Sequence, residues 1–99
     1  MRLTQAQQAS IKRCVEEIFG TEARVLVFGS RLDDSRRGGD LDLLVQHPHP
    51  IERPALTSAR LAARISRLLD GRHVDVLLQA PGLKSLPIHH IAESQGAPL

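Results

Sequence analysis

The sequence predicts an α/β fold: a single small domain, residues 1–99, with a mixed three- to four-stranded sheet flanked by helices. Three observations carry this. Two long stretches repeat apolar residues at three- and four-residue intervals; three short apolar, β-branched runs end at turn-forming residues; and one of the helical stretches separates the second run from the third. A chain of 99 residues fills one hydrophobic core and has no material for a second.

The elements follow in order. Between Thr4 and Phe19, the side chains of Ile11, Cys14, Val15, Ile18 and Phe19 share one helical face, with Thr4 placed to cap the helix and Gly20 to end it. "ARVLVFG", residues 23–29, reads as a mostly buried strand, and "DLDLLVQ", residues 40–46, as a second. "HPHPIERP" is a connector, because its three prolines deny the backbone helical continuity. A helix is predicted from about Arg53 to Leu69, with Leu56, Leu61, Ile65, Leu68 and Leu69 on one side, arginines over the rest, and Gly71 as its stop. "HVDVLLQ", residues 73–79, is the third strand. The tail "LPIHHIAESQGAPL" holds one short helix and is expected to complete the core. A crossover of that length makes the second and third strands parallel, through a right-handed connection, while neighbouring first and second strands run antiparallel.

Composition narrows the function. With 41% hydrophobic and 24% charged residues the chain has the make-up of a packed globular protein and not of a disordered one. Thirteen basic residues against eleven acidic ones leave a net charge of +2, too slight to mark a nucleic-acid surface. Two phenylalanines, with no Trp or Tyr, supply few platforms for stacked bases, which further disfavours nucleic acid as a partner. The lone Cys14 has no internal disulfide partner and fits a buried helical position. The N-terminal "MRLTQAQQAS" has no apolar stretch of signal-peptide length, and no run approaches the roughly 20 apolar residues of a membrane span. A cytoplasmic protein without membrane association is expected.

The stretch "VFGSRLDDSRRGGDLDLLV", residues 27–45, sets two aspartates against the core. Strand side chains alternate, so Asp40 and Asp42 point the same way, with Cα atoms roughly 6 to 7 Å apart, while Leu41 and Leu43 point inward. Asp75 interrupts the third strand and can join the same face. Paired carboxylates repel and resist desolvation, so a cation between them is the chemical reason to gather them. Mg²⁺ takes hard oxygen ligands and is held by one or two carboxylates plus substrate phosphates, and three carboxylates suit two ions. The competing reading is an acidic, solvent-facing edge strand. Gly29 and Ser30 end the first strand and can open a short helix whose N-terminus attracts phosphate. Ser30 and Asp33 also have capping-box spacing, which needs no ligand.

Taken together, "GSRLDDSRRGGDLDLLV" and the later "VDVLL" resemble the Gly-Ser and Asp-x-Asp signature, plus third aspartate, of the nucleotidyltransferase superfamily that includes DNA polymerase beta. The resemblance spans about residues 23–79 and is greatest to the minimal nucleotidyltransferases, small domains often encoded beside a HEPN-domain partner. It implies that Asp40, Asp42 and Asp75 bind Mg²⁺, two ions in all, as the catalytic carboxylates, and that Gly29 and Ser30 hold the outer phosphates of ATP. Arg31 is a further phosphate candidate, with a plain surface arginine as the alternative. Asp75 is then expected to assist deprotonation as a metal ligand rather than as an independent base. The chain departs from many relatives in having no early glycine between Ser30 and Asp40 and in placing Gly39 where a serine often stands.

The resemblance further implies transfer of AMP from ATP to a hydroxyl, a tyrosine of a co-encoded HEPN-type toxin, and hence an antitoxin role. The rival expectation is a binding module that neutralises its partner by contact, with idle carboxylates; a small nucleic-acid-binding regulator is a third. His47 with His49, and His89 with His90, match no structural zinc spacing and read as surface or interface histidines. Arg36 and Arg37 read as solvated.

Overall fold

The computed structural model describes residues 3–29 and 40–99. In chain order the elements are α1 (Gln5–Phe19), β1 (Arg24–Phe28), β2 (Leu41–Gln46), α2 (Pro54–Leu68), β3 (Val74–Gln79), α3 (Pro87–Gln95) and β4 (Ala97–Pro98). The sheet order is β3-β2-β1-β4. β2 and β3 are parallel, as the α2 crossover requires, and β1 is antiparallel to both β2 and β4.

Alternation divides the strand side chains between the main core on one face of the sheet and a small cluster on the other. Val25, Val27, Leu41, Leu43, Val45, Val74 and Leu78 face α1 and α2, where they meet Ile11, Val15, Phe19, Leu61, Ile65 and Leu69. Leu26, Phe28 and Leu44 face the other way and pack with Ala92 of α3. Leu41, Leu43, Leu44 and Val45 are fully buried, each contributing about 1.5–3 kcal/mol, so β2 is the spine of the fold. Cys14 is buried and free, as its helical position predicts.

The helix ends follow local chemistry. Thr4 caps α1 reciprocally: Gln7 N–H donates to Thr4 Oγ1 at 3.0 Å, and Thr4 N–H to Gln7 Oε1 at 2.8 Å. Gly20, at φ 89°, ends the helix while its N–H donates to Glu16 O. Helix α2 starts at Pro54, whose fixed φ suits a first helical position, with Arg53 before it in the left-handed region at φ 49°. Its buried stripe is also narrower than the periodicity predicts: Leu61, Ile65 and Leu69 are buried, while Leu56 and Leu68 stand about half exposed. Strand β4 has no periodic signature, being two residues with a proline. Pairing with Leu26 and Val27, and the Leu99 N–H to Val25 O bond, hold it in place.

The tail completes the core only in part. Ala92 is buried, but Leu86, Ile88 and Ile91 remain 45–49% exposed. His89 is not a surface histidine: it is 4% exposed and staples α3 to the sheet. Leu86 N–H donates to its Nδ1 at 3.0 Å, so the proton sits on Nε2, which donates to Leu78 O at 2.9 Å. His89→Ala strands both backbone groups and is expected to cost about 1–3 kcal/mol in denaturant unfolding. A loss under about 0.5 kcal/mol would contradict this role. His47 makes a similar tie, its Nε2 donating to Phe19 O at 2.9 Å.

Candidate functional site

The face of the sheet that carries α3 is organised in rows. Strand register aligns Arg24, Gln46 and Gln79 at one end; Leu26, Leu44 and Leu77 in the middle; and Phe28, Asp42 and Asp75 at the other end. Polarity thus changes along the strands from paired amides, with Gln46 Nε2 donating to Gln79 Oε1 at 2.8 Å, through an apolar belt to carboxylates. Asp42 and Asp75 are direct partners on adjacent parallel strands, about 4.8 Å apart along the hydrogen-bonding direction. Because β2 is flanked by β1 and β3, Asp42 is not on an edge strand, and the solvated-edge reading of the Asp-Leu-Asp stretch does not hold.

The electrostatics of the row are unfavourable as it stands. Burial first, then the charges of Asp75 and Asp40, push the Asp42 carboxyl above its ordinary pKa, with His73 offering a small opposing pull. Asp40, exposed just before β2, therefore acts on the same site. Gly29, at φ +76°, closes the row from β1: a Cβ built there would lie 2.5 Å from Asp42 Oδ2. The glycine is required both for the backbone turn and to leave room for the carboxylate.

Asp75 has a partner that motif reading passed over. His73 Nε2 donates to Asp75 Oδ1 at 3.0 Å, with both side chains more than 60% exposed. The signal was the His-Val-Asp spacing, which puts both side chains on one side of an extended chain. Among the described residues no three His, Cys, Asp or Glu side chains close on a common point, and like-charged carboxylates have no force to draw them closer. The donor set nevertheless fits a hard divalent cation: it is all carboxylate oxygen, centred on a group that burial and repulsion leave in want of positive charge.

Asp42, Asp75 and Gly29 are thus brought to one end of one sheet face, with Asp40 near enough for its charge to act on Asp42. Ser30 and Arg31, the other two phosphate candidates, lie outside the described residues, as do Asp33, Arg36 and Arg37. Beside the carboxylates a cavity of about 420 Å³ opens between the sheet and α3, walled by Phe28, Leu77, Ile88 and Ile91, with Gln95 on its rim. Sequence periodicity gave no sign of it, since Ile88 and Ile91 read equally well as core. Among the described residues no helix is long and apolar enough to cross a membrane.

Residues 9–94 match the family model described as the nucleotidyltransferase domain. Solved structures share the fold. The structure of a tri-AMPylated Shewanella oneidensis HEPN toxin in complex with an MNT antitoxin holds a chain that aligns at TM-score 0.66 and 18% identity, over 97% of this chain and 71% of that one. A MntA–HepT toxin–antitoxin complex gives 0.64 and 19%, over 96% and 70%. A toxin–antitoxin structure with AMP-PNP gives 0.66 and 17%, over 97% and 72%. No curated protein matches the sequence.

Proposed function

From the premise that this chain belongs to the nucleotidyltransferase domain family, we propose that it transfers AMP from ATP to a protein hydroxyl, a tyrosine of a HEPN-type toxin, and so acts as an antitoxin. The observation that carries the reading is the Phe28–Asp42–Asp75 row, which sets half-buried Asp42 of the central strand in register with Asp75 of the neighbouring strand, with Asp40 near enough to repel it, a gathering of carboxylates for which a fold alone has no use. The likeness to complexes of HEPN toxin with MNT antitoxin, one of them tri-AMPylated and another containing AMP-PNP, supports the choice of acceptor and nucleotide.

In this reading Asp40, Asp42 and Asp75 hold two Mg²⁺ ions, which when bound offset the triphosphate charge and lower the acceptor hydroxyl's pKa. Gly29, with Ser30 and Arg31, receives the outer phosphates, where a residue without a side chain lets phosphate approach the backbone. The acceptor oxygen bonds the α-phosphorus, the bond to the β-phosphate's bridging oxygen breaks, and pyrophosphate leaves with that electron pair while the hydroxyl proton passes to solvent. His73 fixes the orientation of Asp75 through its hydrogen bond. A cytoplasmic location is consistent with an ATP-dependent reaction.

The test is incubation of the protein with its co-encoded HEPN-type partner, ATP and Mg²⁺, followed by intact mass measurement. The expected result is partner mass increased by whole AMP units, dependent on Mg²⁺ and abolished in the Asp40→Asn, Asp42→Asn double variant. A stable complex with no added mass, formed equally by both proteins, supports neutralisation by contact instead.

A further inference from the structure

We propose that the cavity between α3 and the carboxylate row is the nucleobase pocket of this chain, and that the Gln95 side-chain amide selects adenine within it. The proposal rests on the nucleotidyltransferase reading and adds the residues that choose the substrate.

Four observations lead there. The cavity touches Asp42, Asp75 and Gly29 at one end, so a nucleotide whose phosphates lie at the carboxylates has its nucleoside directed along the groove. Its volume, about 420 Å³, falls in the range of small-molecule sites, which are mostly apolar with a few placed polar groups. Its α3 wall is made by Ile88 and Ile91, 45% and 49% exposed, costly apolar surface that a flat base covers well. Aliphatic walls also suit a chain with no Trp or Tyr.

The fourth observation concerns polarity. Gln95, the last residue of α3, is exposed at the rim, and its side-chain amide makes no hydrogen bond among the described residues. A glutamine amide offers one donor and one acceptor side by side, which matches the amino group and N7 of adenine and mismatches the same edge of guanine, where O6 and N7 both accept. The amides at the far end of the same sheet face are unsuited to this work, because Gln46 and Gln79 already bond each other.

The test measures binding of non-hydrolysable ATP and GTP analogues and of inorganic tripolyphosphate, each with Mg²⁺, to the full chain and to its Gln95→Ala and Ile91→Ser variants. The wild type is expected to prefer the ATP analogue by about tenfold or more, the discrimination of one bidentate pair. Gln95→Ala removes that preference by weakening the ATP analogue alone, Ile91→Ser weakens both nucleotides, and neither alters tripolyphosphate binding. If the ATP analogue binds wild type and both variants alike, the pocket assignment is overturned while the nucleotidyltransferase reading stands. The assignment is overturned equally if Ile91→Ser leaves nucleotide binding intact but loses transfer, since the cavity then seats the acceptor. If no nucleotide binds the wild type, both fall together.

Discussion

Asp42→Asn is expected to lower AMP transfer by on the order of a hundredfold or more, and at the same time to raise the thermal midpoint of the metal-free protein near neutral pH. Both effects come from one carboxylate. Asp42 is half-buried on the central strand, with Asp75 in register beside it and Asp40 close enough to repel it. Burial and repulsion raise its pKa in the folded state above the unfolded value, so the folded chain holds that proton to higher pH. Stability therefore falls as pH rises from the unfolded pKa through the raised folded one, and the deficit persists at neutrality. Asparagine carries no charge, so the gain appears at pH 7 and disappears in acid, where Asp42 is protonated in both states. Thermal melts across pH, with chelator present, measure it. A lower midpoint for Asp42→Asn at neutral pH would show that the carboxylate stabilises the fold, contrary to this account.

Gly29→Ala is expected to damage fold and site together. At φ +76° an L-residue is strained by about 1–2 kcal/mol, which lowers the melting midpoint of a domain this size by about 4–8 °C per kcal/mol. The added Cβ would also meet Asp42 Oδ2 at 2.5 Å, so the carboxylate must move. Displacement of a reacting group by about 1 Å costs up to 10²-fold in rate, and transfer is expected to fall at least tenfold. The two contributions separate in combination with Asp42→Ala, which removes the clash and leaves the backbone strain. The double variant should be more stable than the sum of the single changes implies. Strict additivity would mean that the carboxylate does not occupy the space the glycine leaves.

Most of the architecture was legible because it depends on period and order. The apolar β2 run, the α2 crossover and the alternation of Asp40, Leu41, Asp42 and Leu43 lead to a strand with carboxylates on one face and leucines on the other, while its central place comes from the sheet order. The partnership of Asp42 with Asp75 followed from the parallel pairing of β2 and β3. What period does not encode was missed. β4 exists only because the chain turns back against β1. His89 is buried because two backbone groups, Leu86 N–H and Leu78 O, fall at hydrogen-bond distance from its ring, and no local pattern announces that. Ile88 and Ile91 have helical spacing, which does not say whether the face they occupy meets the core or borders a cavity.

The central claim is that the carboxylate row is a cation site and not a polar ornament of the sheet. The most direct measurement is titration of Mn²⁺, as a paramagnetic substitute for Mg²⁺, into wild type and into the Asp42→Asn, Asp75→Asn double variant, following free metal by its resonance signal. Saturable binding by the wild type is expected, strengthened by a non-hydrolysable ATP analogue and lost in the variant. Equal binding by both proteins, with and without nucleotide, would contradict it.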